Sequence, residues 1–333
     1  MPRLAAVVAV ALLALAAVAM PSPPRAAAQE GIDVVSNTPR NEFPTGVTFS
    51  LTFRPAGEVD EVRLRYELAP DGTGATAIAA CTDSGAVTTC NYTLTSGRGI
   101  FIIPGAEITY SWEVKTADGT RSSSAEALYV HEDTRFNFRS LTEDGVTVFY
   151  HTGTEDDAPA VLQATLETLQ SVGALLETQV GFPIKVFLYE TATEMQPAIV
   201  PTGGRGVQIL GEVVYSDTAM VSVDEEPLEI TRHEIAHIVT REATKGPFGI
   251  PGWMNEGISV ASQRVPLSGH ADALESAIRR DRVLTMNELN SSSTGGSGAT
   301  VGLYYGQAGS MMRYLIDTYG QPKFAELMRT FKD

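Results

Sequence analysis

Between residues 46 and 120 the apolar side chains recur at every second position, and no stretch has helical spacing. "GVTFSLTF" (46–53) and "DEVRLRYEL" (60–68) alternate apolar with polar residues and are rich in β-branched and aromatic types. "TTCNYTL" (88–94) and "AEITYSWEVKTADGT" (106–120) continue the pattern, the last running into an Ala-Asp-Gly turn. Successive side chains of a strand point to opposite faces, so this period predicts sheets with one face buried. Tyr110 and Trp112 stand at alternate positions and are expected to face inward; the competing reading is an exposed binding pair.

Several short strands with turns at such intervals predict an immunoglobulin-like sandwich over residues 29–130. From residue 131 the texture changes. "GVTVFYHTG" (145–153) reads as a strand, and "APAVLQATLETLQSVGALLETQVG" (158–181) as a helix stopping at Gly181. "FPIKVFLYE" (182–190) reads as a buried strand with a short helix after it. "GVQILGEVVYSDTAMVSVD" (206–224) is strand-like with an internal turn, and the remainder is mainly helical. A small sheet followed by helices is an α+β pattern, assigned to residues 131–333. "NSSSTGGSGAT" (290–300) reads as a loop.

Residues 1–28 have the composition of an export signal. Arg3 precedes an unbroken apolar run from Leu4 to Met20, then prolines and Ala26-Ala27-Ala28. The run falls short of the roughly 20 residues a spanning helix needs. A cleaved signal peptide and a secreted or extracytoplasmic chain are expected; the alternative is an uncleaved N-terminal anchor. No later segment is apolar enough to span a bilayer. The formal charge is −16, which repels nucleic acid and excludes it as a partner. Cys81 and Cys90 are the two cysteines, and in an exported chain they are expected to pair and close a short loop. Their spacing excludes a CxxC metal site, and two free thiols are the alternative.

The chemistry concentrates at "TRHEIAHIVT" (231–240). Asp224 is expected to cap a helix with Pro227 in its first turn, and Gly246-Pro247 to end it. His233 and His237, four apart, then share one helix face and can reach one metal ion. Glu234 is turned about 100° away, beside the water such an ion activates. The bland alternative is a helix whose histidines pair with Glu229 or Glu242. A third ligand is expected from "PFGIPGWMNEGISVASQ" (247–263), where Pro251 starts a second helix carrying Glu256 in its early turns. The 18 residues between His237 and Glu256 allow a loop and a return. Two imidazoles and one carboxylate suit zinc with a position left open.

"HEIAH", this interval and "PGWMNEG" resemble the gluzincin metallopeptidases, in particular the bacterial peptidase MA-like domains. "PIKVFLYE" and "YYGQAGSMMRYLIDTYG" (304–320) extend the resemblance. It implies an α+β, thermolysin-like domain, one Zn2+ held by His233, His237 and Glu256, and Glu234 as general base. It also implies an oxyanion-stabilising tyrosine at Tyr305, with adjacent Tyr304 as competitor, and an edge strand, residues 213–223, that pairs with extended substrate. Gluzincin aminopeptidases carry a Gly-x-Met-Glu-Asn motif for the substrate's free amine; the comparable region here is "TGGRGVQILGE", and Glu212 is a poor substitute. Endopeptidase action on a peptide or protein substrate is therefore the expectation. The competing readings are an extracellular zinc-containing binding protein and, more weakly, an envelope protein using zinc to stabilise its fold. His131, His151 and His270 lack partners at ligand spacing and are expected to be structural or surface residues.

Overall fold

A computed structural model describes residues 31–333 apart from residues 71, 98, 201–208, 247, 248, 266, 268, 292–297 and 333. The expected signal peptide lies outside the described residues, as does the middle of the expected Ser/Gly loop. Among the described residues no helix is long and apolar enough to cross a membrane.

The N-terminal region is all β. Strands β1 (Asp33–Asn41), β2 (Gly46–Arg54), β3 (Val59–Ala69), β4 (Thr73–Ile78), β5 (Ala80–Asp83), β6 (Thr88–Thr95), β7 (Glu107–Thr116), β8 (Arg121–Ser123) and β9 (Ala127–Val130) form two antiparallel sheets. One has the order β1-β2-β6-β5; the other has β4-β3-β7-β8, with β9 also on β7. Their inner faces interleave as a sandwich. Phe49, Leu51 and Phe53 from one meet Leu64, Tyr110 and Trp112 from the other, all nearly inaccessible. Tyr110 and Trp112 are thus core residues: period-two patterning leaves them no outward option once Ile108 and Val114 are buried. Cys81 and Cys90 face each other across β5 and β6 and are joined by a disulfide.

The third sheet has the order β10-β11-β12-β14-β13, from β10 (Arg139–Glu143), β11 (Val146–Tyr150), β12 (Ile184–Tyr189), β13 (Gly211–Tyr215) and β14 (Thr218–Ser222). Its centre is parallel, and both outer pairings are antiparallel. Helix α1 (Ala158–Leu176) connects β11 to β12, and the short α2 (Ala192–Met195) follows β12. Then come α3 (Pro227–Ala243), α4 (Gly252–Ser262), α5 (His270–Arg279), α6 (Met286–Ser291), α7 (Gly298–Tyr319) and α8 (Gln321–Arg329). This C-terminal part is α+β. Both faces of its sheet are covered. Ile184, Val186 and Leu188 pack with α1 and α3, while Phe187 and Tyr189 on the opposite face join the sandwich core. A strand buried on two sides reads as a continuous apolar run, which explains "PIKVFLYE".

Four sequence expectations change. Helix α1 stops at Leu176, not Gly181, because Glu177 adopts a left-handed conformation and Thr178 N–H bonds back to the Gly173 carbonyl. Asp224 does not cap α3. Its carboxylate accepts from the Ser222 hydroxyl and from Ala192 N–H, bracing α2, and Glu226 occupies the cap position without a side-chain bond. Residues 213–223 are not one edge strand: β14 is interior, paired on both sides, and only β13 has a free edge. The span expected as a loop is helical at both ends, since Asn290 and Ser291 close α6 and Gly298 opens α7.

Candidate metal centre

Helix α3 presents three faces. Ile230, Ile235 and Ile238 pack on the third sheet, and Ala236, Val239 and Ala243 pack toward α4 and α7. His233 and His237 occupy the face left between them, which opens on a cleft of about 630 Å³. Trp253, Met254 and Ile258 bury one side of α4 in the helical core, and this rotation turns Glu256 toward the two histidines.

The three side chains converge on a point. His233 Nε2 lies 3.1 Å from Glu256 Oε2 and 3.1 Å from His237 Nε2, and His237 Nε2 lies 3.3 Å from the same carboxylate oxygen. All three groups offer a ligand atom within 4.8 Å of one another. Ligands tetrahedral about an ion at roughly 2.1 Å stand a little over 3 Å apart, so this triangle has the size a zinc ion needs. Hydrogen bonding alone explains it poorly. Two facing imidazole nitrogens can share one proton at most, and the carboxylate supplies none when ionised. Two nitrogens and one oxygen, with the cleft side open, fit zinc in a catalytic rather than a closed site.

Surrounding groups fix the ligands. Ser259 Oγ lies 3.1 Å from His237 Nδ1, which orients that ring and leaves Nε2 facing His233 and Glu256. Burial pushes the Glu256 carboxyl up, but His237 and His233 beside it override this and hold it well below the usual carboxylate range. The reciprocal effect on His237 also defeats burial, and Glu256 lifts it to about 9.

Glu234 lines the same cleft and is buried. Burial raises its pKa, and Glu256 adds to this, while the two histidines and the Val213 N–H oppose it. The room for Glu234 depends on Gly211 of β13. A Cβ there would stand 2.5 Å from Ile230 Cγ2 and 2.9 Å from Glu234 Cγ. Glycine lets the strand approach α3 closely enough to close the wall.

The two tyrosines separate. Tyr304 is buried among the helices, whereas Tyr305 lines the cleft with its ring edge-on to His233 at 5.7 Å. Burial and the carboxylates of Glu256 and Glu234 hold the Tyr305 hydroxyl protonated well above its ordinary range, so it is a donor.

Of two residues set aside in the sequence, Glu212 lines the cleft and His270 backs Tyr305. His270 opens α5 and stacks on Tyr305 at 5.1 Å with rings nearly parallel. Gly306 permits this, because a Cβ there would meet the His270 carbonyl oxygen at 2.3 Å. Glu212 on β13 lines the cleft with one carboxylate oxygen buried and unbonded; burial first, then Glu234, pushes it up to about 7. Neither had a local signal, since both arrive from elements separate in sequence. His131 and His151 lie elsewhere, buried against aromatic rings.

A helix-borne pair of histidines completed by a glutamate from the next helix, on an α+β scaffold, defines the class of centre. Residues 163–333 match the sequence model of the Peptidase MA superfamily, and the chain belongs to that superfamily. No curated protein sequence matches. Among solved structures, an M1 zinc metallopeptidase from Deinococcus radiodurans is 12% identical, with 91% of this chain and 86% of that one covered, at a TM-score of 0.43. A β-1,3-glucan-binding module of carbohydrate-binding family 56 is 15% identical over 28% of this chain and 95% of its own, at a TM-score of 0.19. At these scores neither likeness transfers a role.

Proposed function

We propose that this chain is an exported zinc-dependent peptidase, with His233, His237 and Glu256 holding one zinc ion and Glu234 acting as general base. The observation that carries this reading is the convergence of three ligand atoms beside a fourth, buried carboxylate in one open cleft. Zinc bound there supplies Lewis acidity, polarising a peptide carbonyl and making water a nucleophile near neutral pH.

The chain's own residues supply the rest. Glu234 takes the proton from the attacking water and returns it to the departing amine. Tyr305 donates a hydrogen bond to the oxygen that gains negative charge. The free edge of β13 pairs with extended substrate along its backbone. Endopeptidase action is the first assignment. Glu212 favours a second, aminopeptidase action, because an unbonded buried carboxylate beside the reacting groups suits a substrate ammonium. The apolar run after Arg3 supports export. The sandwich is proposed as one domain over residues 29–130, packed against a peptidase domain over 131–333.

Metal analysis of the purified chain, beside Glu256→Ala, tests the centre; about one zinc per wild-type chain and a large loss in the variant are expected. Glu234→Gln is expected to keep zinc and fold but lose peptide cleavage. A wild type that binds zinc and cleaves nothing in a broad peptide library would instead favour an extracellular binding protein. Comparing free with N-acetylated peptides separates the two peptidase assignments.

A further inference from the structure

The face of α3 that carries His233 and His237 continues to Arg241, again four residues on, and Lys245 follows just past the helix end. Both cations line the same cleft. Neither has an ion-pair partner among the described residues, in a chain of net charge −16. Arg232, on another face of the same helix, is by contrast fully engaged with Glu229 and Glu167. The cleft is thus polarised. Glu212, Glu234 and Glu256 crowd the end at the histidines, and Arg241 and Lys245 stand further along, at and just past the end of α3, with no ion pair among the described residues. Arg241 also sits in the last turn of α3, where a cation is favoured by the helix dipole. That accounts for a charge at this end of the helix, but not for a second cation beyond it on the same cleft wall.

We infer that Arg241 and Lys245 form a carboxylate-binding subsite, so that the substrate carries an acidic side chain or a free C-terminal carboxylate near the cleaved bond. This rests on the peptidase reading above. The helix rise puts Arg241 about 6 Å beyond His237 along the axis, and Lys245 lies past the helix end on the same cleft wall. Helical side chains lean back toward the N-terminus, bringing the Arg241 head closer to the centre. An extended peptide advances about 3.3 Å per residue. The carboxylate therefore belongs to a residue one to three positions from the scissile bond. Solvent reaches this end, so each pair contributes a few-fold and the two together about tenfold. The preference weakens with salt.

The test uses the zinc-loaded full chain and a neutral fluorogenic peptide. One arm of variants carries Asp at each of the three positions on either side of the bond. A second arm exchanges a C-terminal amide for the free acid. The expected result is a roughly tenfold higher kcat/KM for one arm, which identifies the carboxylate's source. That ratio should fall toward unity in Arg241→Gln/Lys245→Gln, and favour Lys-bearing peptides in Arg241→Glu/Lys245→Glu. Cleavage of the neutral parent with indifference to both arms would overturn the subsite and leave the peptidase reading standing. Absence of all cleavage would overturn the peptidase reading instead. The subsite is then decided by fluorescence anisotropy of the acidic and neutral peptides on zinc-loaded Glu234→Gln. Tighter acidic binding that is lost in Arg241→Gln/Lys245→Gln supports it, and equal binding overturns it.

Discussion

At the residue scale the centre depends on close approaches as much as on the charged side chains. Gly211 is the clearest case, because any side chain there meets Ile230 and Glu234 at under 3 Å. Gly211→Val is expected to push β13 off α3 and displace Glu234. Peptide cleavage should fall at least tenfold while zinc content stays near wild type, since none of the three proposed ligands touches Gly211. Kinetics and metal analysis on one preparation check this; equal loss of zinc and activity would mean that the whole centre collapses. His233, Glu234 and His237 were legible from the sequence because helix geometry alone relates residues four apart. Glu256 was reached from the interval after His237 and the second helix opened by Pro251, and the resemblance added to that reading. Glu212 and His270 were not legible, as their positions follow from strand and helix packing.

At the element scale, β13 determines how substrate is held. The Leu210 carbonyl accepts from Ser222 N–H, so alternation turns the backbone groups of Gly211 and Val213 away from β14. Val213→Pro removes an N–H that is directed away from β14 and bonded to Glu234, so no bond of the β13–β14 ladder is lost. The expected outcome is a melting temperature near wild type with kcat/KM reduced about tenfold. Part of the loss should appear in kcat, because the Val213 N–H also serves Glu234. An unchanged kcat/KM would remove β13 from substrate binding. The sequence read 206–224 as strand-like with an internal turn, offered 213–223 as the substrate-pairing edge, and missed that the second half is interior. Both halves have the same apolar character, and only pairing with β12 distinguishes them.

At the scale of the whole molecule, the sandwich and the third sheet share a core. Phe187, Tyr189, Met195 and Met220 pack with the sandwich residues, and Lys185 reaches across to Glu107 at 2.8 Å. His131 lies in this junction, inaccessible, with Phe43 and Tyr129 rings against it and the Tyr129 hydroxyl 3.1 Å from Nδ1. Burial lowers its pKa from 6.5 to about 4, against a smaller opposing pull from Asp133. Above pH 6.5 it is neutral in folded and unfolded chains alike. Below that, the unfolded chain takes up the proton and the folded one resists until about pH 4. Stability is therefore full above pH 6.5 and falls as the pH drops toward 4, by about 3 kcal/mol at most from this residue. Denaturant midpoints across that range should show the decline, and His131→Phe should flatten it. An identical slope in the variant would assign the acid sensitivity elsewhere.

The amino-acid sequence by itself determined the two textures of the chain and the spacing of the helical histidines. Period-two alternation and four-residue repeats are local, and each follows from the geometry of a single strand or helix. Tertiary structure alone decided which carboxylates and cations line the cleft, which tyrosine faces it, and that β13 is the exposed edge. Each of these results from two or more elements burying their apolar faces against one another, and no single segment carries that information.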